Sequence, residues 1–235
     1  MTHWLLVSSV FAFAALVQSL TGVGYALVAA PLLMMLAPEL VPGPLLLLES
    51  LLVLWLVIRE RHAVDLRILR GALLASLPGA AIGVLIPLTF PAPVIAAVLG
   101  VGIIVLSVMA LGGTMIPMTR WTMASAGFGA GAMNSIAGIG GPPLALVYRP
   151  RDAAELRTNL SLCVLIMSIF SIAALLLRQV TTVGSLAESA RYVPTLFVGF
   201  FLARAMIHRI SAAALARAVL WMSLLAGVSL LFRTK

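Results

Sequence analysis

Charged residues are scarce in this sequence. Of its 235 residues, 9% are Asp, Glu, Lys or Arg and 63% are hydrophobic, and the mean hydropathy is +1.18. A typical soluble domain has about 25% charged residues. The composition therefore excludes a water-soluble globular protein and predicts an integral membrane protein.

Cysteine and histidine are almost absent. The single cysteine, Cys163, cannot form an intrachain disulfide. The three histidines, His3, His62 and His208, lie in end regions of apolar runs without a partner at metal-ligand spacing. We therefore predict no metal site and no cofactor. No basic residue precedes the first apolar run, so this run lacks the pattern of a cleaved signal peptide and is interpreted as part of the fold.

Ionisable groups are rare within the apolar runs as well. An intramembrane enzyme needs a nucleophile with a base, or paired carboxylates, at membrane depth. The spans contain Glu49 but no Asp or His, so we predict that the protein is not an enzyme. The net charge of +8 comes from arginines in short gaps between apolar runs. This placement is typical of topology signals and does not predict a nucleic-acid partner.

Eight apolar runs make up most of the chain. They cover residues 4–37, 43–58, 68–88, 92–112, 120–147, 158–178, 191–207 and 212–232. Because about 20 residues cross the hydrocarbon, the second run is marginal and the first is too long for one crossing. The first breaks at Gly22 and Gly24 into 4–20 and 24–37, and the fifth breaks between Gly138 and Pro143. The pattern predicts an all-α polytopic membrane protein with two broken or re-entrant helical hairpins.

The two breaks share one spacing. The pairs separated by 116 positions are Gln18 and Asn134, Ser19 and Ser135, Gly22 and Gly138, Gly24 and Gly140, Pro78 and Pro194, and Gly83 and Gly199. Because the same offset occurs near the start and near the end of the first half of the chain, the spacing favours a duplication. The predicted repeats are 1–113 and 114–235, and each consists of a hairpin followed by three spans. The alternative is two unrelated small-residue packing faces.

Arginine placement bears on how the repeats are related. If each broken run crosses the membrane once, nine Lys and Arg residues lie on one side of the membrane and six on the other, which is almost no charge bias. If each broken run enters and leaves by the same side of the membrane, the repeats are inverted. Eleven Lys and Arg residues then lie on one side and four on the other. The four are Arg178, Arg191, Arg233 and Lys235. This stronger positive-inside signal places both termini outside. Arg204 and Arg217 lie near helix ends, where we expect them to snorkel to the interface.

A known family resembles this pattern. The segment Gly138-Ile-Gly-Gly-Pro-Pro-Leu144, the weaker Gly22-Val-Gly24 and the intervening Arg-rich loop resemble the TauE/SafE sulfite exporter family over essentially the whole chain. The chain departs from that family at Tyr25 and Ala26, where further glycines are common, and at Pro142. The resemblance implies a secondary transporter that exports a small sulfur-containing anion, such as sulfite or an organosulfonate, across the bacterial inner membrane, linked to the proton-motive force.

The motif can bind an anion without a buried cation. A helix that restarts after a glycine break presents free N–H groups and the positive end of its dipole. Neutral side chains add further donors. The predicted substrate-binding residues are Gln18, Ser19, Gly22, Gly24, Asn134, Ser135, Gly138, Gly140, Gly141, Asn159 and Ser161. In the alternative, the glycines only permit close helix crossing and the polar side chains bond to their own helices.

Glu49 is the predicted proton-coupling residue. It lies six residues into its span, at a depth of roughly 9 Å given a rise of about 1.5 Å per residue. An acidic group at depth favours a proton relay, and the alternative is a neutral, hydrogen-bonded carboxylic acid. Its counterpart in the second repeat is expected near Thr158-Asn-Leu-Ser161, which is not ionisable. An anion channel or a non-transporting subunit of a larger complex remains the alternative function, because glycine-lined re-entrant loops also form selectivity filters.

Overall fold

The computed structural model describes residues 2–114, 116–206 and 212–232. These residues form eleven α-helices, three short 3₁₀ turns and no strand. The helices are α1 Thr2–Thr21, α2 Tyr25–Leu36, α3 Gly43–Arg59, α4 Leu66–Thr89, α5 Ala92–Leu111, α6 Arg120–Ala137, α7 Gly141–Val147, α8 Ala153–Leu177, α9 Val183–Ser189, α10 Val193–Met206 and α11 Ala212–Phe232. The predicted all-α fold is confirmed. His208, Arg209, Arg233 and Lys235, which entered the charge division or the search for metal ligands, lie outside the described residues.

Both predicted helix breaks are present, and glycine makes each of them. Gly22 follows α1 with φ +81°, and Gly138 follows α6 with φ +78° in the left-handed region. Side chains disfavour this region by about 1–2 kcal/mol per residue, whereas glycine adopts it freely. The chain therefore turns sharply at both points and starts a second helix within a few residues.

The helices fall into long and short classes. Four helices among the described residues are long and apolar enough to cross a membrane: Thr2–Thr21, Leu66–Thr89, Pro93–Leu111 and Ala154–Leu177. By contrast, α2 has 12 residues and α7 has seven, too few to cross on their own. Taken with its composition, the chain is a multi-pass membrane protein. The hydropathy runs did not predict α9, which precedes the run at 191–207.

Each half of the chain packs against the other. Helix α1 lies along α10, α4 along α6, α5 along α11 and α3 along α8. The closest approach is between α4 and α6, where a Cβ atom on Gly79 would be 2.1 Å from the carbonyl oxygen of Phe128 and one on Gly83 would be 2.5 Å from that of Ala132. Such contact requires small residues, as is common where membrane helices cross. Glycine thus has a packing role in α4 and a turn role at the breaks.

Candidate functional site

The turns of the two hairpins meet in the protein interior. A Cβ atom on Gly141 would be 2.8 Å from the Val23 side chain, and one on Gly138 would be 3.5 Å from Ala26. A cavity of about 10 Å³, which we call the central cavity, lies where they meet. Its lining is Gln18, Val23, Gly24, Ala26, Leu27, Glu49, Gly138, Ile139, Gly140, Gly141, Pro142 and Val164. A space of this size holds about one water molecule.

Gln18 braces the first hairpin. Its side-chain Nε2 donates to the carbonyl of Gly22 at 3.0 Å, and its Oε1 accepts from the N–H of Tyr25, the first residue of α2, at 3.0 Å. The amide thus spans the turn and uses both of its polar atoms within its own hairpin. Gln18 lines the central cavity, and its hydrogen bonds hold the turn.

Asn134 occupies the corresponding position in the second hairpin and bonds differently. Its Nδ2 lies 3.2 Å from the Ser168 hydroxyl and 3.3 Å from that of Ser171, while its Oδ1 is buried and has no hydrogen-bond partner in the described part of the chain. Ser135 shares a 2.7 Å hydrogen bond with Ser171. Ser168 and Ser171 were not among the predicted residues. Ser168 is seven residues after Ser161 and Ser171 is ten residues after it, so all three point toward one face of α8. This spacing was the feature of the sequence from which they could have been predicted.

The second hairpin supplies few backbone donors. Pro142 and Pro143 are in the first turn of α7 and have no N–H group. In the described chain, the N–H groups of Gly140 and Gly141 donate to no group outside their own helix. Both glycines line the central cavity, so these two N–H groups are the donors that the hairpin can offer there.

Glu49 reaches the central cavity from α3. It is 3% exposed, and its Oε2 is buried without a hydrogen-bond partner within residues 2–114, 116–206 and 212–232. The hydroxyl of Tyr25, the first residue of α2, is likewise buried without a hydrogen-bond partner among the described residues. Tyr25 was noted only as a departure from the family pattern. A carboxyl and a phenol thus lie beside the glycine turns, without a cation paired to either among the described residues.

Six predicted residues are outside the lining of the central cavity: Ser19, Gly22, Asn134, Ser135, Asn159 and Ser161. Ser19 donates to the carbonyl of Ala15 in its own helix at 2.7 Å, as the packing interpretation expected. Ser161 is fully buried on α8, and its hydroxyl has no partner among the described residues. Asn159 joins α8 to the segment between α3 and α4, because its Oδ1 accepts from the N–H of Asp65 at 2.9 Å and its Nδ2 donates to the Ala63 carbonyl at 3.3 Å.

Asn159 belongs to a buried polar network that includes Tyr148. Its Nδ2 also donates to the Tyr148 hydroxyl at 2.6 Å, and that hydroxyl donates to Glu155 Oε1 at 2.8 Å. Burial, followed by the hydrogen bond to Glu155, raises the pKa of Tyr148 well above its usual value. The network joins the loop after α3 to the loop before α8 and so fixes the ends of both helices.

A second, larger cavity is lined in part by Ser19, the neighbour of Gln18 in α1. It has a volume of about 290 Å³ and we call it the arginine cavity, after Arg59, Arg157 and Arg204 in its lining. The remaining lining residues are Ser19, Leu56, Glu60, Phe200 and Ala203. Arg157 and Glu60 form an ion pair at 2.8 Å, and the Arg59 guanidinium lies 5.3 Å from the centre of the Phe200 ring. Three cations and one anion give this cavity a net positive charge.

Comparison with known proteins identifies the family of the chain. The model of the family described as sulfite exporter TauE/SafE matches residues 7–230, nearly the whole chain. No curated protein and no solved structure matches the chain. The match includes both glycine turns, α3 with Glu49, and the α8 serines. The chain belongs to the TauE/SafE sulfite exporter family, a family of membrane transporters.

Proposed function

We propose that the protein is a secondary transporter that exports a small sulfur-containing anion, such as sulfite or an organosulfonate, across the bacterial inner membrane. The observation that carries the proposal is the meeting of two broken helices at the central cavity, beside a buried carboxyl group. Broken helices near the midplane are the usual place of substrate and ion binding in transporters with internal repeats.

The packing of the helices supports an inverted repeat. When 116 is added to their residue numbers, α1 overlaps α6, α3 overlaps α8, and α5 overlaps α11. Helix α4 overlaps the region of α9 and α10. The equivalent helices α3 and α8 run antiparallel, because Glu60 after the end of α3 pairs with Arg157 near the start of α8, and Gly43 lies against Thr181. Equivalent helices are antiparallel when the symmetry axis lies in the membrane plane.

Orientation follows from the charge division. Under the inverted arrangement, Arg59, Arg157 and Arg204 face the cytoplasm, and both termini face outside. The residues His62 and Gly184 are exposed at opposite ends of the fold. In a Cys163→Ala background, an impermeant thiol reagent added outside intact cells should label Gly184→Cys and leave His62→Cys unlabelled. The reverse pattern would invert the orientation, and labelling of both would contradict the inverted repeat.

In the proposal, the anion binds between the two hairpin turns. Its oxygens accept from the N–H groups of Gly140 and Gly141, and the half-helix dipoles favour a negative charge there. If the side-chain amide of Asn134 turns by 180°, its Nδ2 points toward the anion and adds a donor. Its Oδ1 then accepts from Ser168 and Ser171, because serine hydroxyls can donate as well as accept. The central cavity holds about one water, so the turns must separate to admit the anion.

Glu49 is the proposed site of proton coupling. An ionised carboxylate with no cation partner is costly at this depth, so exchange of its proton is tied to access of water to the cavity. Adding 116 to its number gives Leu165 rather than a residue between Thr158 and Ser161. The carboxyl is therefore unique to the first repeat, and the coupling would be asymmetric.

A thermal-shift screen tests binding. The purified protein is heated with sulfite, sulfate, thiosulfate or organosulfonates, because a ligand of the native state raises the melting temperature. Gly140→Val should abolish the shift, since its side chain would meet Asn134 Oδ1 within 2.8 Å. Gly102→Val is the matched control, because a Cβ atom there meets only Met133 at 3.7 Å. A folded Gly140→Val protein with a normal shift contradicts the proposed site.

The channel alternative predicts different kinetics. A carrier shows saturable flux in proteoliposomes, because each turnover requires the turns to separate and close. A channel shows single-channel current in a planar bilayer. Current without saturation would replace the transporter proposal.

A further inference from the structure

The arginine cavity has the composition of an anion site. Its three guanidinium groups each offer several N–H donors, and a guanidinium suits the oxygens of a sulfonate or sulfite as it suits carboxylate and phosphate. The volume of about 290 Å³ has space for a small oxyanion with part of its hydration shell, whereas the central cavity holds about one water. In this conformation the arginine cavity is therefore the one of the two with room for the substrate.

The arginine cavity adjoins the central cavity across the first hairpin. Ser19 lines the arginine cavity, while its neighbour Gln18 lines the central cavity. The turn packs against the backbone of a residue that lines the arginine cavity, because a Cβ atom on Gly22 would be 2.6 Å from the Cα of Arg157. The end of α1 thus contributes to the linings of both cavities, and movement of the turn that follows it would change both.

Polar groups continue inward from the arginine cavity along α8. The Thr158 hydroxyl donates to Glu60 Oε2 at 3.2 Å, and Ser161 lies one turn further along the same face. Both are fully buried, and the Ser161 hydroxyl is unpartnered among the described residues. Beyond Ser161, Val164 lines the central cavity. A buried hydroxyl without a partner is costly, so Ser161 has a free donor for a passing anion.

We propose that the arginine cavity is a capture site, where the anion binds before it passes the first hairpin to the central cavity. This inference rests on the proposed transport of a sulfur-containing anion. The anion competes with the Glu60 carboxylate for Arg157, and Arg59 and Arg204 hold it against return to solvent. Release of the ion pair frees the segment of α8 that contacts Gly22, so capture and opening of the turn are coupled.

The test measures sulfite flux in proteoliposomes as a function of sulfite concentration. Arg59→Gln and Arg204→Gln should each raise the half-saturating concentration roughly three-fold to ten-fold, because each removes one attractive charge from the cavity. The effect should shrink at high ionic strength, since these arginines are exposed. Glu60→Gln should lower the half-saturating concentration, because it frees Arg157.

Arg70→Gln is the matched control, since Arg70 is an exposed arginine on α4 outside the cavity. The capture site is refuted if Arg59→Gln and Arg204→Gln transport sulfite as Arg70→Gln does. If the wild type moves none of the anions tested, the transport proposal fails instead. Calorimetric titration of the same variants with sulfite then decides the capture site, because sulfite binding that is independent of Arg59 and Arg204 overturns it.

Discussion

Replacing Gly22 by alanine should destabilise the protein through two separable effects. The positive φ of +81° costs an L-residue about 1–2 kcal/mol. The new Cβ atom would also lie 2.6 Å from the Cα of Arg157, a backbone atom that cannot rotate away. Displacing one backbone adds roughly another 1–3 kcal/mol by analogy with overpacked cores. We expect a total loss of about 2–5 kcal/mol in the free energy of unfolding.

Gly71→Ala supplies the matched comparison. Gly71 lies within α4, and a Cβ atom there meets nothing within 4 Å. Glycine costs about 1 kcal/mol relative to alanine in a helix interior, so this variant should be slightly more stable than the wild type. Both variants replace glycine by alanine and so reduce the conformational entropy of the unfolded chain equally. This contribution therefore cancels when the two changes in unfolding free energy are compared. Unfolding by SDS in mixed micelles measures both variants. Equal stability of the two would refute the placement of this turn against α8.

Three further substitutions have defined outcomes. Glu49→Gln should retain sulfite binding in a thermal-shift assay but make flux independent of a pH gradient; unchanged pH dependence would assign Glu49 a structural role. Asn134→Gln should bond to the Gly141 N–H and lower sulfite affinity about tenfold, the loss of roughly one hydrogen bond, measured by calorimetry. Wild-type unfolding free energy should fall above about pH 10, where unfolded tyrosine ionises while folded Tyr148 stays neutral, and Tyr148→Phe should reduce this fall in alkaline denaturation.

The helices and their breaks could be predicted because they depend on local sequence. The length of an apolar run limits it to one crossing, and a glycine at positive φ ends a helix wherever it occurs. Both breaks were therefore predicted, at Gly22 and at Gly138. The helix α9 was missed because its sequence, Val183–Ser189, is too short and mixed to form a hydropathy run. The duplication stays a prediction that the helix packing supports.

The details of the site depend on contacts between distant residues. Ser168 and Ser171 are two serines in an apolar run, and only the approach of α8 to α6 brings them to Asn134, more than 30 positions earlier. The role of Asn159 in joining α8 to the segment between α3 and α4 likewise requires Asp65, 94 positions away. Sequence spacing identifies a face of a helix, but it does not tell which helix that face meets.

The two hairpins differ by one methylene group at their equivalent amides, and this difference separates a brace from a candidate ligand. Gln18 is long enough to reach both Gly22 and Tyr25, so the first turn is closed by its own side chain. Asn134 is shorter, bonds to α8 and leaves its Oδ1 unpartnered. A turn that its own side chain bridges by hydrogen bonds moves as one body. A turn without this bridge has polar groups that can bind an anion. The first hairpin is therefore suited to act as the moving element that lines both cavities, and the second to hold the anion once that element has moved.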